Sequence, residues 1–334
     1  MKPMEKIILG LSGGVDSAVA ASLLRRQGYE VIGLYLDIGL GGEKDAKKAA
    51  DDLGIELHIR DIRPELESRV CDLFACSYLR GETPSPCIIC NPTVKFPALF
   101  ALADELGIEK VATGHYARCV EGALYQSASA NDQSYMLSRL TAQQLKRCVF
   151  PLGDMPKEEI RSLAAGLGLA AAQKADSMEI CFIPDGDYAA FIEKRGITPP
   201  TGDYIDSAGR VLGQHKGIHH YTLGQRKRLG IALGKRVFVS KIDPVNNTVT
   251  LSDDDELYVT SAAAKEANWL IDAPAEGFDC NVKVRHSRFS TPARVIPRDD
   301  GFVMEFSSPV RAPTPGQAAV AYLDGRVVCS GWII

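Results

Sequence analysis

Apolar and polar positions along the chain follow one rhythm up to about residue 195 and another after it. The run Lys6–Ser12 (KIILGLS) is short and apolar, as a buried strand is. Residues 16–27 then place Val19, Ala20, Leu23 and Leu24 on one helical face, with Gly28 in position to cap it. EVIGLYLDI (30–38) reads as a second strand, Lys44–Leu53 as a helix closed by Gly54, and IELHIRDI (55–62) as a third strand. PALFALADELG continues as helix and KVATGHYA as strand, and residues 155–167 form a further helix ending at Gly168. Strands alternating with helices predict a doubly wound parallel sheet covered by helices. Beyond residue 195, turn residues crowd ITPPTGDYIDSAGRVLGQHKG, and short alternating segments such as KRVFVSKID, TVTLSD, FVMEFSS and RVVCSGWII take over. These predict small β-rich modules. The expected division is 1–197 for the α/β domain, 198–255 for a central β domain and 256–334 for a C-terminal β-barrel-like domain.

Composition is that of an ordinary globular chain: 46 % hydrophobic, 24 % charged, net charge −4 over 334 residues. This excludes a disordered chain and a secreted disulfide scaffold, and no run approaches the ~18 consecutive apolar residues of a membrane span. MKPMEKIILGLSGG meets Gly and Ser too early for a signal peptide, so a cytoplasmic setting without a membrane partner is expected. The nine cysteines are then reduced thiols, not a disulfide framework. Charge is unevenly spread. Residues 208–241 hold eight Lys and Arg (Arg210, Lys216, Arg226, Lys227, Arg228, Lys235, Arg236, Lys241) and no acid, leaving 30 basic against 42 acidic residues elsewhere. A basic segment on an acidic body, interleaved with His215, His219, His220 and Tyr221, is a phosphate-binding footprint and points to RNA. The plainer alternative is a solvated lysine-rich face.

Two motifs carry chemistry. Ser12-Gly13-Gly14-Val15-Asp16-Ser17 joins the first strand to the first helix. Its glycines let backbone N–H groups turn onto an anion, its serines add hydroxyl donors, and the helix N-terminus supplies the favourable dipole end. An ordinary small-residue βα turn is the bland alternative. Asp16 is out of place in a pure anion site unless Mg²⁺ bridges it to phosphate. A P-loop is excluded at Gly230–Lys235, which is one residue short and followed by Arg236. The second motif, Cys87-Ile-Ile-Cys90, sits in what reads as a proline-stiffened loop, with Cys181 distant in MEICFIPDGDY. A structural zinc site wants a second close pair, which the chain lacks. The other six cysteines (71, 76, 119, 148, 280, 329) fall in apolar stretches, as buried small hydrophobes do.

SGGVDS resembles the signature of the PP-loop ATP pyrophosphatases, which adenylate a carbonyl-like oxygen. TPSPCIICNPTVKF, ATGHYA, NDQSYMLSRL, FPLGDMPKEEIR, DSMEICFIPDGDY, GQHKGIHHYTLGQRKRLGI and TPGQAAV occur in the order found in the tRNA 2-thiouridylases. The likeness runs over nearly the whole chain. It implies ATP with Mg²⁺ held by Gly10, Leu11, Ser12, Gly13, Gly14, Val15, Asp16 and Ser17, with Leu36 and Gly114 near the adenosine. It implies Cys90 as the attacking cysteine, Cys181 as the persulfide carrier, and a disulfide between them at the end of the cycle. Ser85, Pro86, Cys87, His115, Asn131, Asp132, Gln133, Arg285, His286 and Gln317 fall where that family touches tRNA. A sulfur-donor or sulfur-relay protein is the further partner implied. One departure stands out: Cys87 replaces the family's more usual Asp, and Pro92-Thr93 its Lys-Glu. Cys87, Cys90 and Cys181 together resemble relatives that hold a 4Fe–4S cluster on three cysteines. An iron–sulfur delivery of sulfide is therefore the alternative to the persulfide. Two other classes remain open on the loop alone: an amidating PP-loop ligase, and a non-catalytic nucleotide- or RNA-binding module.

Overall fold

The computed structural model describes residues 4–167 and 180–334. Contacts divide the chain into two units. Of the described residues, the first comprises 4–70, 87–167 and 324–328, and the second 71–86, 180–323 and 329–334.

In the first unit, β1 (Glu5–Gly10), β2 (Tyr29–Asp37), β3 (Glu56–Asp61) and β4 (Lys110–Ala112) lie parallel. A hairpin, β5 (Ala117–Val120) and β6 (Ala123–Gln126), follows, and β7 (Cys148–Val149) returns to the sheet beside β4. The order is β3-β2-β1-β4-β7. Ile7, Ile8 and Leu9 are fully buried, as expected for a central strand covered on both faces. Helix α1 (Val15–Arg26) buries Ala18, Val19, Ala20, Ala21 and Leu24 against it, and α2 (Glu43–Leu53) ends on a left-handed Gly54. Successive strands step from β1 toward β3 on one side and from β4 toward β7 on the other. The ends of β1 and β4 therefore form the switch point of the sheet, where open parallel sheets place ligands. Arg326, near the C-terminus, pairs with Tyr125 of β6, and the Gln126 N–H donates to Gly325 O (2.8 Å).

Several expectations need correction here. KVATGHYA supplies only the three-residue strand β4, because the chain leaves the sheet at Thr113. The 155–167 helix is Lys157–Gly166, and its expected stop at Gly168 lies outside the described residues. The C-x-x-C is not in a loop. Pro86 opens a helix, Pro86–Cys90, where a missing N–H costs nothing. Asn91–Lys95 then makes a π-helical turn before the helix Phe96–Glu105. Pro92 lacks the N–H that an α-helical ladder needs, and the ring displaces the preceding turn, which accounts for the wider winding. The whole segment Pro86–Glu105 is long and apolar enough to cross a membrane by length and composition. Half of it is buried within the protein, with Ile88, Val94, Phe96, Leu99, Leu102 and Ala103 inside, as in a core helix.

In the second unit, β8 (Gly202–Ile205), β9 (Val211–His215), β10 (Phe238–Asp243) and β11 (Thr248–Ser252) form a four-stranded sheet ordered β10-β11-β8-β9. Tyr204, Ile218, Tyr221, Val239, Val249 and Leu251 make its core. Six strands follow: β12 (Tyr258–Trp269), β13 (Phe278–Lys283), β14 (Thr291–Arg298), β15 (Gly301–Arg311), β16 (Ala318–Leu323) and β17 (Arg326–Ile333). They run β12-β15-β14-β13-β16-β17, and β17 pairs back onto β12, which closes a barrel. Phe74 and Tyr78, from 71–86, pack with Ile183 and Ile192 in a further core of the same unit.

Candidate functional site

The loop between β1 and α1 sits at the switch point and is held open by its own side chains. The Ser12 N–H donates to Ser17 Oγ (3.2 Å), the Gly14 N–H to Ser12 Oγ (3.3 Å), and the Ser17 hydroxyl to Gly14 O (3.0 Å). Gly14 caps α1 without a side-chain hydrogen bond, so the first-turn N–H groups have no side-chain cap to compete with an anion. Gly13 adopts φ +76°, and a Cβ there would stand 2.5 Å from the Asp45 carbonyl carbon and 2.6 Å from Ala46 N. At Gly114, beyond β4, a Cβ would stand 3.0 Å from the Asp16 carbonyl carbon. Both glycines thus permit backbone to approach backbone. Leu36 is half-buried at the end of β2. The ten expected nucleotide residues all belong to the first unit, at the carboxyl ends of β1, β2 and β4.

Asp16 has a cation of its own. Lys157 Nζ lies 2.7 and 2.9 Å from its two oxygens, and the Tyr116 hydroxyl donates to Oδ1 at 2.6 Å. Lys157 also lies 5.5 Å from the Tyr116 ring centre. The carboxylate therefore has partners without a metal, and Mg²⁺ at Asp16 would have to displace or share Lys157. Sequence reasoning missed Lys157 and Tyr116. The signal was available: Lys157 opens the helix Lys157–Gly166, where a positive charge opposes the dipole and calls for a compensating acid.

Among the cysteines, Cys87 is exposed and Cys90 half-buried, one turn apart on the same helix. Burial raises the Cys90 pKa above the usual thiol range; the Lys95 ammonium opposes this and the Cys87 sulfur adds to it. The Asn91 amide beside it donates to Met136 O (2.8 Å), tying this helix to the segment after residue 133. Cys181 is exposed in the second unit, and its neighbours Ile180, Phe182 and Ile183 pack with Phe74 and Ile192. No disulfide joins any of the nine cysteines. Cys71, Cys148, Cys280 and Cys329 are buried as expected, whereas Cys119 is half-buried and Cys76 exposed, because its helix turns that face outward.

The residues expected at tRNA divide by what already holds them. His286 and Asn131 are exposed. Asp132 accepts from the Ser127 N–H and the Ser134 N–H and hydroxyl, so it builds the turn. Gln133 exchanges bonds with the Tyr116 backbone, at 2.7 and 3.0 Å. Arg285 donates to Ala312 O (2.9 Å) and Arg311 O. Gln317 donates to Thr83 O (2.7 Å), close in sequence to the buried Ser85 and Pro86. His115 stacks on Phe96 and shares a 2.6 Å bond with Thr113 Oγ1; desolvation, with a further push from Lys95, keeps its pKa well below the usual histidine range. In the 208–241 segment all eight cations are exposed. Arg210, Lys235 and Lys241 are paired with acids; Lys216, Arg226, Lys227, Arg228 and Arg236 make no ion pair among the described residues. Three of the four interleaved rings do not face outward with them, and His220 is half-buried. His215, His219 and Tyr221 are buried, because Tyr204, His215 and Tyr221 pack edge-on as a core cluster.

Three family descriptions match in succession: a tRNA methyl transferase HUP domain over residues 5–185, a tRNA methyl transferase PRC-barrel domain over 189–253 and an aminomethyltransferase beta-barrel domain over 243–333. The tRNA-specific 2-thiouridylase MnmA of Syntrophotalea carbinolica is 42 % identical over 351 residues, covering all of both chains. That of Acetivibrio thermocellus is 42 % identical over 358 residues, covering 99 % of each. Among solved structures, a 4-thiouridine synthetase–RNA complex with bound ATP aligns over 57 % of this chain and 50 % of its own, at 19 % identity and a TM-score of 0.38; a likeness that slight says nothing about substrate. With full-length identity of this order beside the strand–loop–helix site and the C-x-x-C, the chain belongs to the tRNA-specific 2-thiouridylases, a sulfurtransferase family.

Proposed function

We propose that this protein uses ATP to place sulfur on C2 of the wobble uridine of tRNA. The observation that carries this reading is the open loop of the first unit, with its uncapped helix start and the Asp16–Lys157 pair, in the same unit as Cys90. Gly10 to Ser17 hold the ATP phosphates, Leu36 and Gly114 border the adenosine, and Lys157 turns from Asp16 toward the phosphates. The uridine O2 attacks the α-phosphorus and pyrophosphate leaves, which converts a poor leaving oxygen into AMP. The terminal sulfur of a persulfide on Cys181 then attacks C2 and AMP departs. The Cys90 thiolate attacks the Cys181 sulfur, and the C–S bond stays with the base while a Cys90–Cys181 disulfide forms. A cytoplasmic thiol reductant must restore both, and a sulfur-donor or relay protein must reload Cys181. The base has to leave its stack to reach such a site. Ser85, Pro86, Cys87, His115, Asn131 to Gln133, Arg285, His286 and Gln317 belong to the tRNA-facing set in this reading, and the divisions after residues 197 and 255 to its domain plan.

A second reading has one observation in its favour: Cys87 and Cys90 present two thiols one helical turn apart, as ligands of an iron–sulfur cluster completed by Cys181 would be. An anaerobic assay decides between them. Iron-free protein with a persulfide donor is compared with cluster-reconstituted protein given sulfide, each with tRNA and ATP–Mg²⁺. Thiolation by the iron-free protein alone, retained in Cys87→Asp, supports the persulfide; activity only after reconstitution overturns it. Pyrophosphate release that needs no tRNA would favour an amidating ligase, and none at all a binding module.

A further inference from the structure

One cluster of ligating side chains includes no residue of the nucleotide loop and none of the thiols. In the second unit, the helix Tyr188–Glu193 ends on Glu193, and the 3-10 turn Ile218–His220 sets two consecutive histidines against it. Glu193 Oε1 lies 3.1 Å from His219 Nε2 and 3.3 Å from His220 Nε2, and the ligand atoms of all three residues lie within 4.8 Å of one another. We propose that Glu193, His219 and His220 form a binding site for a borderline divalent cation of the zinc type, with a coordination position left open to solvent.

The distances suit such an ion. With metal–nitrogen and metal–oxygen bonds of about 2.0–2.1 Å, the edges of a tetrahedron are about 3.3 Å, so the two measured separations need little adjustment. Two imidazole nitrogens with one carboxylate oxygen select zinc, cobalt or nickel over magnesium or calcium, which prefer oxygen throughout. The ligands are also held before any ion arrives. His219 is fully buried, and Gly217, at φ +129°, lies against its ring: a Cβ there would stand 2.7 Å from Cε1 and 2.8 Å from Nδ1. Only glycine lets this ring sit as it does, with its Nε2 edge toward Glu193. Nδ1 has no hydrogen-bond partner among the described residues, so the polar function of this buried side chain rests on Nε2 alone. The Tyr188 hydroxyl donates to His220 O (3.0 Å), fastening the turn to the same helix. The two rings lie 4.2 Å apart at 42°, drawn to one carboxylate although they are neighbours in sequence. His220 and Glu193 keep 27 % and 40 % of their side-chain surface, which is where a water would complete the shell. A bound cation would bolt the helix to the turn that leads into the exposed basic stretch 226–236.

The test uses the full chain, stripped with chelator and titrated with Co²⁺ under anaerobic conditions. The expected result is one cobalt ion per chain with the absorption of nitrogen and oxygen ligands, displaced by Zn²⁺ and retained when Cys87, Cys90 and Cys181 are all changed to Ser. Glu193→Gln and His220→Gln, both at partly exposed positions, each weaken binding by about tenfold or more and abolish the rise in thermal midpoint that Zn²⁺ gives the parent. Equal affinity in the parent and both variants overturns the proposal, as does cobalt binding that shows sulfur charge transfer and vanishes with the three cysteines. The triad is then a hydrogen-bonded clasp only. Neither readout depends on thiolation.

Discussion

Replacing Lys157 with Met removes one charge from the Asp16 pair and leaves the rest of the helix start intact. The side chains of Lys157 and Asp16 keep 14 % and 33 % of their surface, so the pair stands between an exposed bridge worth 0–1 kcal/mol and a buried one whose breakage costs 3–5 kcal/mol. The Tyr116 hydroxyl still donates to the carboxylate. A loss of about 1–2 kcal/mol in stability follows, or about 2–8 °C in thermal midpoint for a domain of this size. The effect on ATP is larger, because the variant loses a charge-assisted bond to phosphate, worth about 1.5–3 kcal/mol, and leaves Asp16 uncompensated beside the anion. ATP affinity should fall about 10- to 150-fold. Calorimetric titration of ATP–Mg²⁺ into the full chain reads this directly, with a thermal scan alongside. Asp16→Asn in the same chain should recover part of the lost stability, since the orphaned charge goes with it. A Lys157→Met protein that binds ATP within twofold of the parent would refute the reasoning and make the ion pair a structural tie without a role at the nucleotide.

Three other outcomes are expected. Gly13→Ala forces a side chain into left-handed backbone and onto the Asp45–Ala46 peptide, whereas Gly28→Ala, at φ +94° with open space around it, meets only the backbone strain; the first should cost about 1–3 kcal/mol more than the second by denaturant titration. The raised pKa of Cys90 means that its thiolate fraction grows with pH beyond the usual thiol range, so single-turnover release of sulfur from persulfide-loaded protein should accelerate through alkaline pH, and Lys95→Met should move the rise to still higher pH; a flat profile would count against Cys90 as attacking group. Changing Arg226, Lys227 and Arg228 together to Ala should lower the slope of log affinity for tRNA against log salt by about 2–3, measured by filter binding, and an unchanged slope would place the RNA elsewhere.

The regular elements of the first half were readable because period and caps agreed: Val19, Ala20 and Leu24 do face the core, and Gly54 does close its helix. Local signals failed where a longer-range partner decided the outcome. The prolines around Cys87 and Cys90 suggested a loop, yet Pro86 starts a helix and Pro92 only widens it, because Ile88, Val94 and Phe96 gain a core to bury in. His215, His219 and Tyr221 looked like RNA-facing rings beside lysines, and packing against Tyr204 and Glu193 took them inside. Lys157 lay inside the block FPLGDMPKEEIR, but its role depends on Asp16, 141 residues earlier, a partner that no local pattern shows.

The pairing of Arg326 with Tyr125 has a consequence for biosynthesis. The first unit draws a strand partner for β6 from nearly the last residues of the chain, about 200 positions downstream. At ribosomal rates of about 5–20 residues per second, β6 waits roughly 10–40 s for that partner after it is made. During this interval the hairpin presents an open edge, the usual template for pairing with the wrong strand. A ribosome that stops before residue 324 therefore releases a nucleotide-binding unit that is unfinished despite having every motif that names it.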